Sequence, residues 1–132
     1  MGLYPHTVTL YNATGEDAQG RATYRRTVLS GVRVERRSAA LATLNGSQAG
    51  DGTVLYVPGW TSGYVEPRAF SAAGWTLRPG DVFAVGVCPD EVPTGATMRE
   101  VQASYETHTI TGIERLDRPY SARVHHFEVA AS

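Results

Sequence analysis

Four histidines, one cysteine, scattered carboxylates and a set of arginines are the side chains that could do chemistry in this chain. His125 and His126 are adjacent, which first suggests a metal site. On a strand, neighbours point to opposite faces, so the two cannot chelate one ion without a bulge. His6 or His108 would have to join one of them. Ordinary hydrogen-bonded histidines on a sheet account for the pair more simply. Nucleophilic catalysis needs a nucleophile, a base in reach and an orienting group. The serines are scattered, there is no Gly-x-Ser-x-Gly elbow, and Cys88 has no histidine beside it. Cys88 ends an apolar run, where a buried, inert thiol is the default. Asp51, Asp81, Asp90, Glu91 and Glu100 fall mostly in turns or caps; their spacing neither argues for paired-carboxylate chemistry nor excludes it. No glycine loop precedes a helix as a phosphate cradle would require. The expectation is a protein that is not an enzyme and holds no cofactor or metal.

Binding chemistry has more to work with. All 12 basic residues are arginine, so every cation is a planar, permanently charged fork. Arg33, Arg36 and Arg37 cluster, with Arg25 and Arg26 on the neighbouring segment. A solvated sheet face offset by Glu35 and Glu128 explains such a cluster. The functional alternative is a contact strip, formed by Arg25, Arg33, Arg36 and Arg37, for an acidic protein surface or a nucleic-acid backbone. Trp60, Tyr64, Phe70 and Trp75 lie in or beside one irregular stretch. Four loop aromatics could stack bases or sugars. More commonly such residues are lids over the open end of a small β core, because each buries a large area wherever it packs.

Composition sets the frame for these residues. A chain of 132 residues with 42% hydrophobic and 19% charged residues is expected to be one globular domain, 1–132, large enough for a real core. The net charge of -1 does not favour polyanion binding by bulk charge. The single cysteine excludes an intrachain disulfide and a cysteine zinc cluster. No apolar run approaches a membrane span, and no secretory leader is evident.

The elements that must position the candidates are mainly strands. The doubly apolar run 82–88 reads as the central strand, with Val82, Ala84 and Cys88 on one face and Phe83, Val85 and Val87 on the other. It is preceded by Trp75-Thr-Leu-Arg-Pro-Gly-Asp81, a strand entry followed by a turn. Residues 6–11 alternate, with Val8 and Leu10 inward and Thr7 and Thr9 outward. Residues 12–20 read as a polar turn region. Residues 21–29, with Tyr24 and Val28 inward, and 32–37, with Val32 and Val34 inward, read as an antiparallel pair turning at Ser30-Gly31. Residues 53–58 form a strand ended by proline. Thr97 to Glu100 matches a capping box, giving one short helix over 98–104. Ile110 and Ile113 are out of phase for a plain strand; a bulge at Gly112 restores them to one face. With a final strand, 107–129 forms a hairpin. The sum is an all-β, mainly antiparallel protein: a small barrel or sandwich of about seven strands with one short helix and long loops.

Residues 38–52 are rich in alanine, serine and glycine, with Asp51 as their only charge. An ordinary surface loop accounts for them. An arm that orders on a partner, with Leu41, Leu44, Asn45 and Gly46 as its assembly residues, is the functional alternative.

Several stretches, taken in order, resemble a known family. They are Tyr4-Pro-His-Thr-Val-Thr-Leu-Tyr11, Thr27-Val-Leu-Ser-Gly-Val-Arg33, Val57-Pro58, Trp75 through Asp81, residues 105–113, and His125-His126-Phe-Glu-Val129. Together the chain resembles the minor capsid proteins of tailed phages and prophages, the head–tail connector proteins that act in head closure as stoppers. The resemblance does not extend to 38–52. It implies a non-enzymatic virion protein with a β-barrel fold, assembled in the host cytoplasm. Its subunits would wait as monomers and form a homo-oligomeric ring below the portal and adaptor, receiving the tail, with DNA in transit through the channel and no membrane contact. An OB-like nucleic-acid-binding barrel is the alternative expectation. A metal hydrolase using His125 or His126 is a third and weaker one.

Overall fold

The computed structural model describes residues 4–37, 52–71, 73–116 and 126–132; the side chains of Arg37 and Leu116 are not described. Within them six strands run as β1 (His6–Glu16), β2 (Ala22–Arg37), β3 (Gly52–Pro58), β4 (Val82–Val85), β5 (Thr107–Leu116) and β6 (His126–Ala131). Helix α1 is Met98–Ser104, and a 3-10 turn spans Pro67–Ala69. Each strand pairs antiparallel with its neighbours in the order β1-β2-β3-β6-β5-β4, and β4 returns to β1. The fold is therefore an all-β antiparallel closed barrel, as expected.

The described strands number six rather than about seven because the expected hairpin at Ser30-Gly31 does not exist. β2 is one strand of 16 residues. Gly31 sits at φ 75°, and the β1–β2 register slips beside it, between the pairs His6–Val32 and Thr7–Ser30. A glycine in the left-handed region serves a bulge as readily as a reversal. The bulge also flips the alternation. Leu29 and Val32, three apart, both enter the core, while Val28 is turned out and 37% exposed. Tyr24, expected inward, packs instead on the outside of the barrel. Arg25 and Thr27, expected outward, lie opposite Asn12 and Leu10 and share their inner face. β5 repeats the device. Its register against β6 slips between Ile110 and Gly112, and Ile110 and Ile113 both face the core, as the sequence predicted.

Two apolar clusters explain the doubly apolar β4. The barrel interior holds Val8, Leu10, Leu55, Phe83, Ile110 and Val129 among others, with Val85 packed against it. A second cluster lies outside the wall, where Tyr11, Ala84 and Cys88 meet Val92 and Val101 of α1. β4 is thus covered on both faces, as predicted, although Val87 departs from the pattern at 59% exposed. The strand stops at Val85, before Gly86 at φ 92°, three residues earlier than the apolar run implies. The same outer layer corrects β1. Thr9 is fully buried rather than outward-exposed, since its hydroxyl donates to Gly86 O and accepts from Cys88 N, both at 2.8 Å. Residues 12–16, read as turn, continue β1.

α1 begins where its capping box predicts. Glu100 N–H donates to Thr97 Oγ1 at 3.2 Å, and Thr97 N–H donates back to Glu100 Oε1 at 2.8 Å. The box fixes the entry, and burial of Val101 fixes the face.

Candidate binding surface

The Trp75 to Asp81 stretch closes one end of the barrel. Trp75 and Leu77 are each 2% exposed and belong to the interior cluster. Trp75 exchanges backbone bonds with the 63–65 segment, with Trp75 N–H donating to Gly63 O at 3.0 Å and Val65 N–H to Trp75 O at 2.8 Å. Its indole Nε1–H donates to Ser62 O at 2.8 Å. Asp81, 3% exposed, accepts from Asn12 Nδ2 at 2.8 Å, Ala13 N at 3.1 Å and Arg78 Nε at 3.1 Å. Asn12 also donates to Thr76 O and accepts from Thr76 N. The carboxylate most enclosed by structure is thus fully engaged with neighbouring donors, which makes it an anchor for the plug rather than an acid–base group.

The aromatics divide. Tyr64 packs edge-on to Trp75 with ring centroids 5.2 Å apart, and tilted on Phe127 at 4.8 Å. Burial raises the Tyr64 hydroxyl pKa. The Arg78 guanidinium lies 5.1 Å from the Phe70 ring centre. Tyr64 and Trp75 are therefore lid residues. Trp60 alone of the four is open, at 63% exposed, with Tyr4 edge-on at 5.8 Å.

The arginine strip is dispersed along β2. Arg33 pairs with Glu35 at 2.9 Å. Arg36 makes a two-pronged bond to Glu106, with Nε at 2.6 Å and Nη2 at 2.5 Å. That guanidinium, assisted by His108, holds the Glu106 carboxyl down to about 2. Arg25 Nε donates to Gly74 O and Arg26 Nε to Cys88 O, both at 2.6 Å. Arg37 is placed at the end of β2, its side chain outside the described residues, as are Leu41, Leu44, Asn45, Gly46 and His125. His126 Nε2 lies 3.3 Å from Glu128 Oε2. Among the described residues no three histidines, cysteines or carboxylates gather to hold a metal ion, and no helix is long and apolar enough to cross a membrane.

One feature escaped the residue patterns. A groove of about 530 Å³ is lined by Arg25 and residues 27–31 of β2, by the 60–63 segment, and by Gly74 and Trp75. It exists because β2 has 16 residues and β3 only 7, pairing with Arg33–Arg37 alone. The length mismatch would have been the signal, but the false turn at Ser30-Gly31 hid it.

No curated protein and no solved structure matches this chain. A family model described as a family of unknown function (DUF6751) matches residues 3–132, and the chain belongs to that family.

Proposed function

We propose that the protein is a structural subunit of a phage or prophage virion, placed in the head–tail connector as a head-closure protein. It would form a ring below the portal and adaptor, seal the head and receive the tail. The observation that carries the proposal is the agreement of the resemblance with the architecture. The resembling stretches fall in the wall at β1, β2, β3, β5 and β6 and in the plug at Trp75 to Asp81. A closed barrel suits a ring subunit because pairing consumes most strand edges and leaves loops for subunit contacts. Deletion of the gene in a producing strain tests this, with gold-labelled protein located by electron microscopy. Expected are label at the neck of intact particles and, after deletion, heads without tails that have lost DNA. Normal infectious particles from the deletion strain, or no label on particles, would refute it.

A second reading, a single-strand nucleic-acid-binding barrel, is favoured by open Trp60 beside Arg25 in the groove. Against it, the barrel has six strands where an OB-fold has five, and three of the four loop aromatics are packed within the protein. A labelled oligonucleotide that shows no anisotropy change at low salt removes this alternative.

A further inference from the structure

Although the strand ring closes, the first half of β2 is paired on one side only. Residues 22–32 pair with β1, and pairing with β3 begins only at Arg33. Tyr24 N–H points away from β1 and donates to Val92 O at 3.3 Å. Backbone groups four and six residues on point the same way, so the N–H and C=O of Val28 and Ser30 face the groove. Among the described residues no backbone group meets them. A row of alternating donors and acceptors beside a groove is what an extended polypeptide recognises.

Two further observations give that polypeptide its chemistry. Val28 and Trp60 are two of the three large hydrophobic residues exposed among the described residues, and both line this groove. They offer an apolar seat for alternate side chains of an incoming strand. Arg25 stands at the groove's far end, bonded through Nε to the neutral carbonyl of Gly74. No carboxylate pairs with Arg25 among the described residues, unlike Arg21, Arg33, Arg36, Arg78 and Arg115.

We propose that β2 accepts a short extended segment of a partner protein as an added strand over Thr27 to Ser30, with apolar side chains against Trp60 and Val28 and an acidic residue against Arg25. This goes beyond the connector assignment and holds whether or not that assignment does.

A decapeptide library screened against the full chain, followed by hydrogen exchange with the best binder, tests it. The expected binders alternate apolar residues and carry Asp or Glu at one end. They should slow exchange of the Val28 and Ser30 amides at least tenfold, lose at least tenfold in affinity when alternate peptide nitrogens are methylated, and lose about fivefold against Trp60→Ala. The Trp60 ring is exposed, so that variant folds. Four outcomes would overturn the proposal: no enrichment, enrichment of basic sequences, binding that leaves both amides unprotected, or protection of the same amides by self-association at high protein concentration. The last would make a second copy of this chain the occupant.

Discussion

Asp81 shows most directly how one side chain holds this protein together. It is 3% exposed and gathers Asn12, Ala13 and Arg78 onto one carboxylate, tying β1 to the turn that enters β4. Removing it leaves buried donors and an adjacent guanidinium without an acceptor. Asp81→Ala should cost about 3 kcal/mol in a urea unfolding experiment, the order seen when one partner of a buried charged pair is lost. Asp81→Asn should cost less, since one acceptor oxygen survives. An Asp81→Ala loss below about 0.5 kcal/mol, the range of ordinary surface substitutions, would contradict the anchor role. Glu106 gives the pH counterpart. Arg36 holds its carboxyl down to about 2 from an ordinary 4.5. The stabilisation is present above the unfolded value and is lost as pH falls from about 4.5 towards 2. The Glu106 side chain is 42% exposed, and solvent screening reduces the effect to about 1 kcal/mol or less. Acid unfolding of Glu106→Gln beside the parent protein should show a shallower decline across that window. Identical slopes would show that the ion pair does not contribute.

At the scale of elements, two glycines with the same backbone sign do different work. Gly31, at φ 75°, has nothing within 4 Å of an added Cβ. Gly31→Ala should therefore cost only the left-handed backbone term of about 1–2 kcal/mol. Gly74, at φ 72°, would set a Cβ 2.5 Å from Gly63 O and 2.7 Å from Val65 Cγ2, where the plug crosses the 63–65 segment. Gly74→Ala adds a clash to the same strain and should lower the unfolding midpoint more than Gly31→Ala does. A reversed order would refute the close approach. The β2 bulge carries a further lesson. Ser-Gly between two alternating runs is compatible with a reversal or with a slip of register. The choice depends on whether β1 is long enough to follow β2 through the slip, and it is, at 11 residues.

On the scale of the whole molecule, the protein is a barrel with an appendage packed on its outer wall. Phe83 is buried among strands from around the ring, whereas Val101 joins α1 to the outer cluster. Phe83→Ala should lower global stability by about 3–5 kcal/mol, as deletion of a buried aromatic does. Val101→Ala should act locally, speeding amide exchange in α1 while β5 and β6 keep their protection. Equal acceleration everywhere would show that the two layers unfold as one.

The sequence by itself determined the period-2 strands at β1, β3 and β5, the doubly covered β4, the capping box of α1 and the Gly112 bulge. Each is written in neighbouring residues, and local sterics and hydrophobic alternation suffice to fix it. Only the tertiary structure decided that β2 passes through Gly31 without turning, that Thr9 is buried, and that Arg33 and Arg36 are neutralised while Arg25 and Arg26 are not. The physical reason is range. Glu106 lies 70 positions from Arg36 along the chain, and Gly86 lies 77 from Thr9. Partners that distant leave no mark on the local pattern of either residue. The open edge of β2 is a still less local property, since it arises from the difference in length between two strands.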